Sequence, residues 1–219
     1  MKRLACILWI LFISIGCTQP SDILQSTVII DNVGSGTIIK VQPFNERYDQ
    51  ITILTASHIL FDENPVIIRY DTLTFGWIKV RDVGTDIALI VTIAPKGKCK
   101  AIPLGRKLPK IGDDLWYCGY PGMVHIIIRG TMNEFHDPYA SIISLLDKGA
   151  SGGGVYNDKF ELVGIIHGYI PIGKQKIVGL FVPVLKQTVD WYEKHRILHL
   201  PVKWVPTFVP TTKPVSEWY

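Results

Sequence analysis

A chain of 219 residues with a formal net charge of +4 has room for one domain of ordinary size, or two small barrels sharing an interior, but not for an enzyme joined to a separate recognition domain. Its hydrophobic fraction of 47% supports a real core, so neither disulfides nor a metal is required to hold the fold. No Cys/His cluster has metal-ligand spacing along the chain, and no cofactor is expected.

Lys2 and Arg3 precede an apolar run from Leu4 to Ile15 that ends at Gly16, the layout of a secretory signal over residues 1–16. The run is short for a membrane span. The stretch Ile13-Ser14-Ile15-Gly16-Cys17 is similar to a bacterial lipoprotein signal, in which the cysteine is acylated after cleavage, although Ser14 and Ile15 stand where such signals usually carry Leu and a small residue. Three readings stay open: a plain cleaved signal, a signal that leaves Cys17 lipidated, and an uncleaved anchor. All imply export, to the periplasm or cell envelope or out of the cell, and the last two attach the protein to a membrane. Losing Lys2 and Arg3 brings the charge close to neutral. The basic run Lys96, Lys98, Lys100, Arg106, Lys107 and Lys110 is broken by Pro95, Gly97 and Pro103, which reads as a solvated loop, so nucleic acid is not an expected partner. Of the remaining cysteines, Cys99 and Cys118 form either one disulfide or two separate thiols, and spacing does not decide between them.

Residues 17–25 read as a linker. From Thr27 the chain becomes a succession of short β-branched and aromatic segments punctuated by Gly, Pro, Asn and Asp, an all-β pattern. The expected strands are Thr27–Ile30, Gly36–Val41, Ile51–Thr55, Val66–Tyr70, Phe75–Val80, Ile87–Ile93, Asp114–Gly119, Val124–Gly130, Ala140–Leu145, Gly153–Tyr156, Leu162–Tyr169 and Lys176–Pro183. So many closely spaced strands favour barrels or a sandwich over alternating β and α units. One amphipathic helix is predicted over Val184–His195, with Leu185, Val189 and Tyr192 on the face that docks. Residues 196–219 interleave Pro201, Pro206, Pro210 and Pro214 with Trp204, Phe208 and Trp218, a composition that favours extended backbone.

Three segments carry chemistry. In Gly149-Ala150-Ser151-Gly152-Gly153-Gly154, glycines surround a serine, which is a poor nucleophile until a base sits at its hydroxyl and backbone donors face the developing negative oxygen. Gly34-Ser35-Gly36-Thr37-Ile38 is followed by Ile53-Leu54-Thr55-Ala56-Ser57-His58, a strand with a histidine at its exit. Gly84-Thr85-Asp86-Ile87-Ala88-Leu89 puts one acid at the mouth of an apolar strand. Taken singly, these are a glycine-rich turn, a structural histidine and a strand cap.

Taken together and in this order, they resemble the trypsin-like peptidases, in particular the compact bacterial and viral members related to the Deg/HtrA proteases, here without a PDZ domain. The resemblance spans residues 26–195 and implies two six-stranded Greek-key β-barrels of chymotrypsin type, closed by a C-terminal helix. It assigns Ser151 as nucleophile, His58 as general base and then acid, and Asp86 as the group that orients the imidazole. The amides of Gly149 and Ser151 would form the oxyanion hole. Peptide or protein is the implied substrate. Leu145 and Ile166 fall where the family builds its specificity pocket, which implies preference for a small or medium apolar residue before the scissile bond.

Two departures from the family matter. Ala150 stands where digestive members hold an aspartate that pairs with a newly freed N-terminus, so activity should not depend on such a cut. His167 lies one residue beyond the pocket histidine of glutamate-specific relatives, and strand alternation turns it toward Asp86 as a supporting residue. The Gly-x-Ser-x-Gly pattern also fits an esterase elbow, but there the serine precedes its partners, and here it follows them. The rival of another class is a protease-shaped binding protein whose triad is held out of alignment.

Overall fold

The computed structural model describes residues 19–60, 67–70, 73–76, 79–84, 86–172, 176–187 and 189–190. The leader 1–16, Cys17 and the extension 196–219 lie outside the described residues.

Among the described residues, seven strands form the N-terminal half: β1 (Thr27–Ile30), β2 (Gly34–Pro43), β3 (Tyr48–Ala56), β4 (Ile67–Tyr70), β5 (Leu73–Gly76), β6 (Lys79–Gly84) and β7 (Ile87–Pro95). They make one antiparallel sheet in the order β5-β4-β1-β2-β3-β7-β6. Six more, β8 (Asp114–Gly119), β9 (Ile126–His136), β10 (Tyr139–Ile143), β11 (Gly154–Tyr156), β12 (Leu162–Ile172) and β13 (Lys176–Pro183), close into a barrel in the order β10-β13-β12-β11-β8-β9. The expectation of two six-stranded barrels is therefore corrected in its first half. Phe75–Val80 reads as one strand, but β4 runs out of partners at Ile67 opposite Gly76, so β5 ends there and β6 pairs instead with β7 at the other edge. The sheet curls until β5 comes back near β7, with no ladder closing it among the described residues.

The linker expected over residues 17–25 is also corrected. Pro20–Gln25 form a short helix, α1, begun by proline at its first turn, where no backbone N–H is needed. Asp22 accepts the Gln19 N–H at 3.0 Å and pairs with Lys100, while Ile23 is fully buried. At the other end, the predicted docking helix begins as expected. Val189 N–H donates to the Leu185 carbonyl at 3.1 Å, and Lys186 pairs with Asp190 one turn on. Its remainder toward His195 lies outside the described residues.

Among the described residues, three buried clusters form the core. Ile30, Ile38, Ile51, Ile53 and Ile90 fill the N-terminal sheet, and Tyr117, Val155, Ile166 and Phe181 fill the barrel. The third joins the halves, packing Ile23, Leu54, Ile87 and Leu89 against Tyr156, Leu162, Ile165 and Val189. β3 and β7 are buried on both faces, with Ile53 and Ile90 turned into the sheet's own cluster and Leu54 and Leu89 toward the barrel, and burying such side chains contributes about 1.5–3 kcal/mol each.

Cys99 and Cys118 are separate thiols. Burial pushes both up to about 12, with Asp49 adding to the effect at Cys99. Only about one thiol in 10⁴ is then ionised at pH 8, and the thiolate is the reactive form. Iodoacetamide at pH 8 should leave the Cys99 and Cys118 peptides unmodified in the native protein and alkylate both after guanidinium unfolding, as read by mass spectrometry.

Candidate active site

β3 and β7 pair in register from Tyr48 opposite Pro95 to Ala56 opposite Ile87. That ladder sets the exit of β3 beside the entry of β7, which brings His58 and Asp86 together. His58 lies in a single tight turn, Ser57–Ile59, and the Ser57 N–H donates to the Asp86 carbonyl at 3.0 Å. Asp86 has a φ of 61°, a left-handed conformation an aspartate tolerates better than most residues. One carboxylate oxygen, Oδ1, accepts the His58 N–H at 2.9 Å and the Ser57 hydroxyl at 3.0 Å. The other, Oδ2, meets His58 Nδ1 at 2.7 Å.

A second imidazole reaches the same oxygen. His167 Nδ1 lies in close contact with Asp86 Oδ2. The pairing of β12 with β13 shifts between Ile166 and Gly168, so His167 sits on a bulge that re-aims its side chain. Its ring stands edge-on to His58, with centroids 5.3 Å apart, and packs against Tyr139 at 4.9 Å. Burial pushes the Asp86 carboxyl up, but the hydrogen bonds from the His167 and His58 side chains and the His58 amide outweigh it and hold the group below the ordinary carboxylate range.

The serine loop is held by its own turns. Ala150 N–H donates to the Asp147 carbonyl at 3.0 Å and Gly153 N–H to the Ala150 carbonyl at 3.0 Å, while Gly152 N–H donates to the Ile166 carbonyl at 2.8 Å and Ile166 N–H to the Gly153 carbonyl at 2.9 Å, tying the loop to β12. The Lys148 carbonyl accepts Gly122 N–H at 2.6 Å, and the Ala150 carbonyl faces the Tyr117 hydroxyl inside the barrel. In a trans peptide the N–H points opposite to the carbonyl. The amides of Gly149 and Ser151 are thus turned away from those partners, and both residues line a cleft of about 440 Å³. The Ser151 hydroxyl itself donates to the His167 carbonyl at 3.1 Å. Among the described residues, no hydrogen bond joins it to His58.

Ser35 fixes this loop to the N-terminal sheet. It is fully buried; its hydroxyl donates to the Gly149 carbonyl at 2.8 Å and accepts Tyr120 N–H at 2.8 Å, and its N–H donates to the Ser151 carbonyl at 2.8 Å. Sequence reading passed over it as a spacer between Gly34 and Gly36, since nothing local signals a partner more than a hundred residues away. Tyr139 was missed for the same reason.

The expected pocket walls are corrected. Leu145 is 64% exposed, and Ile166 is fully buried in the barrel core beside Tyr117 and Phe181. Neither lines the cleft at Ser151. Its apolar surface comes instead from Val33, Ile59 and Tyr169, with Asp147 and Lys148 also lining it. Ile166 is still paired with Phe181 ahead of the bulge, and its side chain enters the barrel core. Ala150 is buried in the barrel core, where its methyl group can form no ion pair.

The sequence matches the trypsin-like peptidase domain over residues 34–165, more than half of the chain. The chain belongs to the trypsin-like peptidase family. Solved structures agree on the fold. Rv3671c from M. tuberculosis in its inactive form, as a serine-to-alanine mutant, superposes with a TM-score of 0.63 at 16% identity, covering 84% of this chain and 95% of that one. A second structure of the Rv3671c protease, also in an inactive form, gives 0.60 at 18% identity, covering 81% and 92%. The serine endoprotease from Yersinia pestis gives 0.61 at 20% identity, covering 82% of this chain and 66% of that one. No curated protein matches the chain by sequence. This peptidase is a serine endopeptidase, and its substrates are peptides or proteins.

Gly152 supplies a test of the loop. Its φ is +81°, and a Cβ there would lie 1.9 Å from the Ser35 carbonyl oxygen; Gly97, with a φ of +71°, has open space around it. Gly97→Ala should cost only the left-handed strain, about 1–2 kcal/mol. Gly152→Ala should cost about 1–3 kcal/mol more from overpacking against backbone. Thermal denaturation of the two variants side by side checks the difference.

Proposed function

We propose that the peptidase works through Ser151, His58 and Asp86 as a catalytic triad and passes through an acyl-enzyme. The observation that carries this reading is the His58–Asp86 pair at 2.7 Å, opening onto the cleft that Ser151 also lines. With Nδ1–H given to Asp86, the neutral imidazole keeps its lone pair on Nε2, the nitrogen a general base needs. Rotation about the Ser151 side-chain bond exchanges the His167 carbonyl for that lone pair. The hydroxyl oxygen then attacks the substrate carbonyl as His58 takes the proton, and the N–H groups of Gly149 and Ser151 receive the oxyanion. His58 returns the proton to the leaving amine, and water, activated in the same way, releases the acyl group.

One observation favours the rival reading, a protease-shaped binding protein with a silent triad: the serine hydroxyl engages the His167 carbonyl and not the base. A fluorophosphonate probe distinguishes the two. The triad reading expects covalent labelling of the wild type at neutral pH without any activating cut, none in Ser151→Ala, and a loss of about 10⁴-fold or more in kcat for His58→Ala and Asp86→Asn. A folded wild-type protein that stays unlabelled is a binding protein.

Preference for a small or medium apolar residue before the scissile bond remains our proposal, carried by Val33, Ile59 and Tyr169 in place of Leu145 and Ile166. A peptide library should yield cleavage sites enriched after such residues; enrichment after acidic or basic ones would shift the specificity to Lys148 or Asp147. We also propose that the protein is exported, either freed by cleavage of a plain signal or held at a membrane through Cys17 lipid or an uncleaved leader. The intact mass of protein from the soluble and membrane fractions separates the three.

A further inference from the structure

Asp86 holds two imidazoles where one would suffice to orient a base. His58 and His167 both aim Nδ1 at Oδ2 of its carboxylate. The ligand atoms of the three residues lie within 4.8 Å of one another. They arrive from three separate places, the turn after β3, the residue before β7 and the bulge in β12. The group is reachable from solvent, with side-chain exposures of 41% for His58, 33% for His167 and 13% for Asp86.

Two histidines and one carboxylate with an open side form the donor set that binds Zn²⁺ with water in the fourth position. Tetrahedral coordination at about 2.0–2.1 Å needs ligand atoms about 3.3 Å apart. His58 Nδ1 and Asp86 Oδ2 stand at 2.7 Å and His167 Nδ1 lies closer still to that oxygen, so the carboxylate must withdraw from both rings by more than about half an ångström, a movement that side-chain rotation supplies. Nitrogen donors exclude Mg²⁺ and Ca²⁺, which prefer oxygen ligands.

We propose that His58, Asp86 and His167 form a site for a borderline divalent cation, Zn²⁺ foremost, and that its occupation switches the peptidase off reversibly. The switching half rests on the reading of His58 as the general base. A neutral imidazole carries one N–H. When the cation takes the Nδ1 lone pair, the proton that Nδ1 carried is lost and Nε2 gains one, so the ring stays neutral and no net proton is released. Nε2 then donates and cannot accept the Ser151 proton, while Asp86 is committed to the metal. No bond to carbon forms or breaks, and nothing is oxidised or reduced.

The test uses the full chain and has two readouts. Zn²⁺ is titrated against the rate of fluorophosphonate labelling, with chelator reversal and Mg²⁺ as comparison. Co²⁺ is titrated against Ser151→Ala and followed by its visible absorption, which requires no activity. His167→Phe keeps a ring against Tyr139 but removes the ligand, and His167→Gln replaces it if the ring variant does not fold. The proposal expects Zn²⁺ to suppress labelling at saturation, chelator to restore it and Mg²⁺ to have no effect. It also expects the His167 variant, scaled to its own metal-free rate, to need about tenfold or more Zn²⁺ for half suppression. Co²⁺ should give stoichiometric tetrahedral bands on Ser151→Ala that vanish when His167 is also replaced. Equal Zn²⁺ sensitivity of wild type and His167 variant, or Co²⁺ bands that survive the loss of His167, overturns it. A wild type that never labels but whose Ser151→Ala form binds Co²⁺ through His167 leaves the cation site standing and removes the triad reading instead.

Discussion

The charge on Asp86 is the constraint around which the two halves of this peptidase are arranged. A carboxylate only 13% exposed loses much of its hydration, and such a group stays ionised only if protein donors replace the lost water. Here they come from both sides of the molecule. The Ser57 hydroxyl and the His58 amide and ring approach from the N-terminal sheet, and the His167 ring approaches from the barrel. Each donor is thereby held by the acid it satisfies, so the turn that carries His58 and the bulge that carries His167 meet at one largely enclosed charge.

Ser35 does for the serine loop what Asp86 does for the base. Its three hydrogen bonds reach Gly149, Tyr120 and Ser151, all in the barrel half, while its own carbonyl accepts the Thr55 hydroxyl at 2.6 Å within the sheet. A fully buried hydroxyl with a donor and an acceptor on either side cannot be replaced by a methyl group without stranding both partners, a loss that outweighs the net value of an ordinary hydrogen bond. The loop is therefore clamped from outside itself. Gly152 lies so close to the Ser35 carbonyl that no side chain fits between them.

The Ser151 hydroxyl is hydrogen-bonded to the His167 carbonyl, and in the proposed mechanism a side-chain rotation, fast compared with any turnover, would carry it to His58. His167 thus touches the site twice, through its carbonyl to the Ser151 hydroxyl and through its ring to Asp86. Substrate and cation would act on the same few atoms from opposite directions, one drawing the hydroxyl toward Nε2 and the other moving a proton onto it.

Family, β class and the candidate triad were legible in the order of short motifs, because glycines at tight turns and polar residues at strand exits are local demands that leave local marks. The hairpin turn at Asp31 and Asn32, both with positive φ, belongs to the same class of signal. The division of Phe75–Val80 into strands at opposite edges of the sheet was not legible, because alternation looks the same whichever neighbour a strand chooses. Nor was the burial of Ile166, since which face of β12 enters the barrel core is set by how the strands close around it. The amino-acid sequence alone settled which residue types could do chemistry and in what order they occur. Tertiary structure decided what each one touches, the two imidazoles on one acid, the serine on a backbone carbonyl and Ser35 across the interface, because contacts between distant segments depend on strand register, and register is a property of the whole sheet.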